Sequence, residues 1–111
     1  GAGTLTFPLT YAASLTIDCT KSNVFAMTFG AGNVTTLTVS NPVDGQTINV
    51  FLTQDATGSR TVTWPASFRF PGGAAASGVL STAANSVDLL VATYRASPGA
   101  WYCSLLKDLK A

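Results

Sequence analysis

Apolar and polar residues alternate with a period of two along most of this chain, and no segment offers the 3.6-residue stripe of an amphipathic helix. In ASLTID (13–18) the residues Ala13, Leu15 and Ile17 share one face, with Ser14, Thr16 and Asp18 on the other. NVFAMTF (23–29) sets Phe25, Met27 and Phe29 together, and after the turn signal GAGN the run VTTLTVS (34–40) aligns Leu37 and Val39. TINVFLT (47–53) is the cleanest strand, with Ile48, Val50 and Leu52 inward and Thr47, Asn49 and Thr53 outward. DATGS then turns the chain, and RTVTW (60–64) is expected to return beside it as a β-hairpin, with Val62 and Trp64 inward.

Residues 65–84 are irregular, because Pro65, Pro71 and Gly72-Gly73 break any regular ladder. Long loops of this kind often carry function. NSVDLLVATYR (85–95) resumes the strand pattern, and its alternation assigns Val87, Leu89 and Val91 to the core and Asp88 to the outer face. RASPGA turns the chain again, and AWYCSLL (100–106) closes it, with Trp101, Cys103 and Leu105 in one phase. Roughly seven to eight strands at ten- to twelve-residue spacing predict an all-β fold, an antiparallel β-sandwich or jelly roll. The 111 residues are expected to form a single domain (1–111) with residues 1–12 as an N-terminal arm.

Composition narrows the function. Six Lys and Arg against five Asp give a net charge of +1, and only 10% of residues are charged, against a usual ~25%. Lys21, Arg60, Arg69 and Arg95 are scattered, and only Lys107 and Lys110 lie close together. Nucleic-acid binding needs a basic stripe to neutralise phosphates, so that partner is not expected. No run approaches a membrane span, and GAGTLTFPLT lacks the basic start and apolar stretch of a signal peptide. Polarity comes instead from 16 Thr, 10 Ser and several Asn. A surface of that kind leaves salt little to screen, and suits a secreted binding module or a densely packed particle.

The chain contains no histidine and no glutamate. A Ser-His-Asp triad and any His-ligated metal site are thereby excluded. Asp18, Asp44, Asp55 and Asp108 fall at strand ends, turns or the tail, and Asp88 is assigned outward, so no carboxylate pair is expected to flank a scissile bond. The reading is of a protein that is not an enzyme and needs no cofactor or metal. Cys19 and Cys103 each share parity with apolar neighbours on terminal strands expected to be neighbours, which would permit a disulfide; buried reduced thiols are the expectation for a chain made in a reducing cytosol. Asn33-Val34-Thr35 fits a glycosylation sequon, a common coincidence in a Thr-rich chain.

Two groups remain as candidate sites. Phe68, Arg69 and Phe70 in the irregular loop form a candidate ligand loop, with two rings and a guanidinium that could stack on a sugar. The competing reading has the rings plugging one end of the sandwich while Arg69 points out. On the outer faces, alternation collects Phe51, Leu90, Tyr94, Tyr102 and Leu106. Five such residues exceed what a monomer ordinarily exposes, so either both faces of these strands are buried in a closed fold or the group is a subunit interface; the interface is the expectation.

The run GQTINVFLTQDATGSRTVTWP, followed by FRFPGG, LSTAANSVDLLVATY and AWYCSL, resembles small β-domains of tailed-bacteriophage virion proteins. They are most similar to tail-fibre C-terminal domains, and comparable sandwiches serve as capsid decoration or cement proteins. The resemblance covers about 41–106, with a looser echo in YAASLTID and NVFAMTFGAGNVTTLTVSNP. It implies a homotrimeric, non-enzymatic domain at the virion surface after synthesis in the host cytoplasm. Its partners would be other virion proteins and host-surface glycans. A carbohydrate-binding module using the loop aromatics is the alternative.

Overall fold

The computed structural model describes residues 5–109. Eight strands follow in chain order: β1 (Thr6–Pro8), β2 (Ser14–Asp18), β3 (Val24–Thr28), β4 (Thr36–Ser40), β5 (Thr47–Thr53), β6 (Phe68–Arg69), β7 (Val87–Arg95) and β8 (Ala100–Leu106). A three-residue 3-10 turn at Ala75–Ser77 is the only helical element among the described residues. The fold is therefore all-β, as the alternation requires. Segments 13–18, 23–29, 34–40, 47–53, 85–95 and 100–106 each contain one of these strands.

The strands make two layers. A six-stranded sheet has the order β1-β3-β5-β7-β8-β6, and β2 pairs with β4 in a second, two-stranded sheet. Leu15 and Ile17 of β2 and Leu37 of β4 join Phe25, Met27, Ile48, Val50, Leu52, Leu90 and Ala92 of the larger sheet in one buried cluster. Trp64, Phe68, Phe70, Leu80 and Trp101 extend that cluster beneath the long loop.

The pairing sense departs from the antiparallel expectation. Only β5–β7 and β7–β8 are antiparallel, while β1–β3, β3–β5, β2–β4 and β6–β8 are parallel. From β1 to β5 the chain alternates between the two sheets, so each strand lies beside the one two places earlier and runs the same way. Parallel neighbours require a crossover, and here the crossover is a strand of the opposite layer. The amino-terminal half is thus a short parallel coil, and β7–β8 is a hairpin laid against it.

That arrangement also removes the hairpin expected at 45–65. Both edges of β5 are occupied, by β3 and β7, so residues 60–64 have no place beside it. They instead continue the coil, with Val62 bridging Val34 in parallel. The Val34 N–H donates to Thr61 O at 2.9 Å and the Thr63 N–H to Val34 O at 2.9 Å. Trp64 is buried as expected, and its indole N–H donates to Gly78 O at 2.6 Å.

The inward assignment holds for Leu15, Ile17, Phe25, Leu37, Ile48, Val50 and Leu52, and Val39 and Val62 are partly buried against the same core. It is inverted in β7. Asp88, Leu90 and Ala92 are buried there, and Val87, Leu89 and Val91 alternate with them on the other face. The substitution Ile48→Ala should therefore cost roughly 2–5 kcal/mol by cavity formation, and Leu89→Ala less than about 1.5 kcal/mol in the single chain. Urea denaturation of both variants, compared with wild type, measures the difference.

Candidate functional site

The phase of β7 is set by a carboxylate. Asp88 is 2% exposed, and Oδ2 accepts the Ser81 N–H at 2.7 Å while Oδ1 accepts the Asp108 N–H at 2.8 Å. Burying an ionisable group is costly unless it is well hydrogen-bonded, and two backbone donors supply those bonds. The Ser86 hydroxyl meets Asp108 Oδ1 at 3.0 Å, and the Leu109 N–H donates to Val87 O at 2.7 Å. One buried carboxylate thus clamps the end of the long loop and the carboxy-terminal segment onto β7.

A second polar clamp lies beside it. Gln54, also buried, donates from Nε2 to Arg60 O at 2.8 Å and to Ser81 O at 2.9 Å, and its Oε1 accepts the Arg60 N–H at 2.9 Å. Its amide pairs with the Arg60 peptide as a strand would. Asp55 and Arg60 close the loop between them, with Arg60 Nη2 2.9 Å from Asp55 Oδ2. The Arg60 hydrogen bond, helped by the Gly58 and Thr57 N–H groups, holds the Asp55 carboxyl below its usual range. Gly58 (φ +76°) allows this turn, because a Cβ there would lie 2.5 Å from Thr82 O.

With β7 in this phase, the outer face of the six-stranded sheet carries an apolar row across its middle, with Thr28 and Thr53 beside Val87 on one side of it. The registers place Pro8, Ala26, Phe51, Leu89 and Leu106 in one row across five strands. The next row is Thr6, Val24, Asn49, Val91 and Ser104. Beyond it Thr47, Thr93, Tyr102 and Arg69 form a polar border. Phe51, Leu89 and Val91 are half-buried by their neighbours, and Leu106 is 51% and Tyr102 45% exposed. Arg69 lies over the Tyr102 ring at 6.0 Å, and the Thr47 and Thr93 hydroxyls are 2.7 Å apart.

Of the five residues expected at an interface, Phe51, Tyr102 and Leu106 share this face. Leu90 does not, being 0% exposed within the core. Tyr94 has the parity of Leu90 and faces the core side, where its ring lies 5.0 Å from that of Trp101. Leu89 and Val91 take their places. The missed signal was Asp88, whose inward placement becomes intelligible only once Ser81 and Asp108 are seen to supply its donors.

The candidate ligand loop is corrected as well. Phe68 and Phe70 are buried, packed with Trp64 at centroid distances of 5.6 and 5.4 Å and with each other at 6.5 Å. They plug the sandwich and present no face to a sugar, whereas Arg69 points out. Alternation across a two-residue strand paired with β8 explains this placement.

Cys19 and Cys103 are buried free thiols. Burial pushes both up to about 11, so they stay protonated and unreactive at neutral pH. The expected adjacency of terminal strands does not hold, because β2 pairs with β4 whereas β8 lies between β7 and β6. Among the described residues no three side chains of the metal-ligating types converge. Lys110 lies outside the described residues, so its pairing with Lys107 has no structural counterpart here.

A scan against family models matches residues 6–97 to the family described as "Putative phage tail fibre C-terminal domain". The chain belongs to that family. The match runs from the first strand of the coil into the β7–β8 turn, and so spans the parallel coil, the long loop and all of β7. No curated protein and no solved structure matches the chain. Membership makes this tail-fibre domain a structural component of the phage virion, in a family that is not typically enzymatic.

The clamp in this tail-fibre domain can be tested directly. Asp88→Ala leaves the Ser81 and Asp108 N–H groups without their acceptor, and should cost roughly 1–3 kcal/mol. Hydrogen exchange should then accelerate at Ser81 and Asp108 before the β3–β5 core opens; unchanged exchange at both amides would remove the clamp.

Proposed function

We propose that this domain acts by assembly, as a homotrimer displayed on the virion surface, with the outer face of the six-stranded sheet turned toward the shared axis. The observation that carries this reading is the row Pro8, Ala26, Phe51, Leu89 and Leu106, flanked by Val24 and Val91, on a sheet face that bears no acidic side chain. A contiguous apolar patch of this kind marks an interaction site rather than ordinary surface. Its polar border of Thr47, Thr93, Tyr102 and Arg69 fits the rim of an interface, where polar groups stay wetted.

Symmetry favours copies of the same chain as the occupants, since apolar faces around an axis cover one another without needing charge complementarity. The number three rests on the resemblance to trimeric tail-fibre domains. Each large side chain fully buried in this way would contribute roughly 1.5–3 kcal/mol before the costs of association. Contact with other virion proteins and with host-surface glycans would then fall to the loops and to the Thr-rich face of β2 and β4.

The double variant Phe51→Asp with Leu89→Asp should dissociate the trimer into folded monomers, because neither residue belongs to the buried core. Native mass spectrometry reads the assembly and circular dichroism the fold. Wild-type protein that stays monomeric at high micromolar concentration, or a double variant that stays trimeric, would contradict the reading.

A further inference from the structure

The six-stranded sheet has two unlike edges, and their chemistry is complementary. At one edge, β1 offers a three-residue strand whose outer side is unpaired, preceded by Leu5, which is 80% exposed, and carrying the partly exposed Phe7. At the other edge, β6 covers only Trp101 and Tyr102 of β8, so no strand pairs with Cys103–Leu106 on that side. An uncovered edge presents unpaired backbone groups that can recruit another strand; in β1 Pro8 contributes only its C=O, so Thr6 supplies both donor and acceptor there.

Beside this stretch lies a slot of about 260 Å³, between the loop residues Phe70, Pro71, Ser77 and Val79 and the residues Ser104, Leu105 and Lys107, with Phe70, Pro71, Val79 and Leu105 as its apolar part. Val79 is itself exposed. The slot is continuous with the outer face, because an open groove lined by Pro71, Val91, Tyr102 and Ser104 shares Phe70, Pro71 and Ser104 with it.

Strand direction decides what fits. β1, β3, β5, β8 and β6 all run one way, and β7 alone runs the other. Rotation about an axis along the strands therefore brings the β1 edge of one copy beside the β8 edge of the next in the parallel sense. That is the sense in which β1 already pairs with β3 and β6 with β8. A three-fold ring that closes through its sheet edges must join unlike edges, since contacts between successive copies about a three-fold axis are heterologous.

We infer that Leu5–Pro8 of one copy adds as a parallel strand to Cys103–Leu106 of its neighbour, in line with β6, with Leu5 seated in the slot beneath Val79. This rests on the trimer proposed above, and specifies how its corners close. Joined in this way, the β1 edge of each sheet and the stretch of β8 beyond β6 would be paired around the ring, leaving only the two residues of β6 as open edge at each corner, which limits the edge offered for further aggregation.

Photo-cross-linking with p-benzoylphenylalanine in place of Leu5 tests the inference, with the mass of the assembly measured on the same sample. A trimer whose adducts link position 5 of one chain to residues 70–79 or 103–107 of another supports it. A trimer whose adducts fall elsewhere, or only within one chain, overturns the edge contact and leaves the trimer standing. A monomer overturns both. Protection of the β8 edge amides in the trimer, lost on dilution to monomer, is expected alongside the cross-link, and equal exchange in both states would overturn strand addition.

Discussion

A single buried carboxylate decides which face of this domain is apolar. Asp88 faces the core side of β7 because Ser81 and Asp108 present backbone donors there at 2.7 and 2.8 Å. The strand's alternation then carries Leu90 and Ala92 into the core and leaves Val87, Leu89 and Val91 outside. Since a one-residue slip exchanges the two faces of a strand, the same clamp also determines which residues Phe51 and Leu106 meet across the sheet. The loop before β7 and the segment after β8 are tied to that choice.

The parallel coil supplies the other half of the architecture. Strands that alternate between layers are joined by short connections, yet each finds its sheet neighbour two strands away. Both flanks of β5 are filled by this winding and by β7, which sends residues 54–86 around the far end of the sandwich. That excursion is held by polar side chains standing in for missing strands: Gln54 on the Arg60 peptide and Asp55 on the Arg60 guanidinium. The aromatic group of Trp64, Phe68, Phe70 and Trp101 fills the space beneath it. Such a loop can be long and still ordered, because its backbone groups have partners.

Much of this was legible from alternation alone. The period of two located β2, β3, β4, β5, β7 and β8, and parity named most of the core from Leu15 to Trp64. Three features lay outside its reach, each for a physical reason. Parallel pairing depends on which layer a strand joins, which local pattern does not encode. The phase of β7 was ambiguous because apolar residues occupy both parities from Val87 to Ala92, and the polar residue that breaks the tie is satisfied by partners distant in sequence. The short strands β1 and β6 are too brief to show a period. For the candidate surface, Phe51, Tyr102 and Leu106 were read correctly as outward, while Leu90 and Tyr94 followed the inverted phase inward.

Carbene footprinting of the wild-type domain across a dilution series tests the central claim most directly, because it reads both the phase of β7 and the cover over its outer face. Phe51, Leu89, Val91 and Leu106 should be protected at high concentration and labelled after dilution, with Leu90 protected throughout. Labelling of Leu90 in the folded domain, or equal labelling of Leu89 and Leu106 at every concentration, would contradict the account.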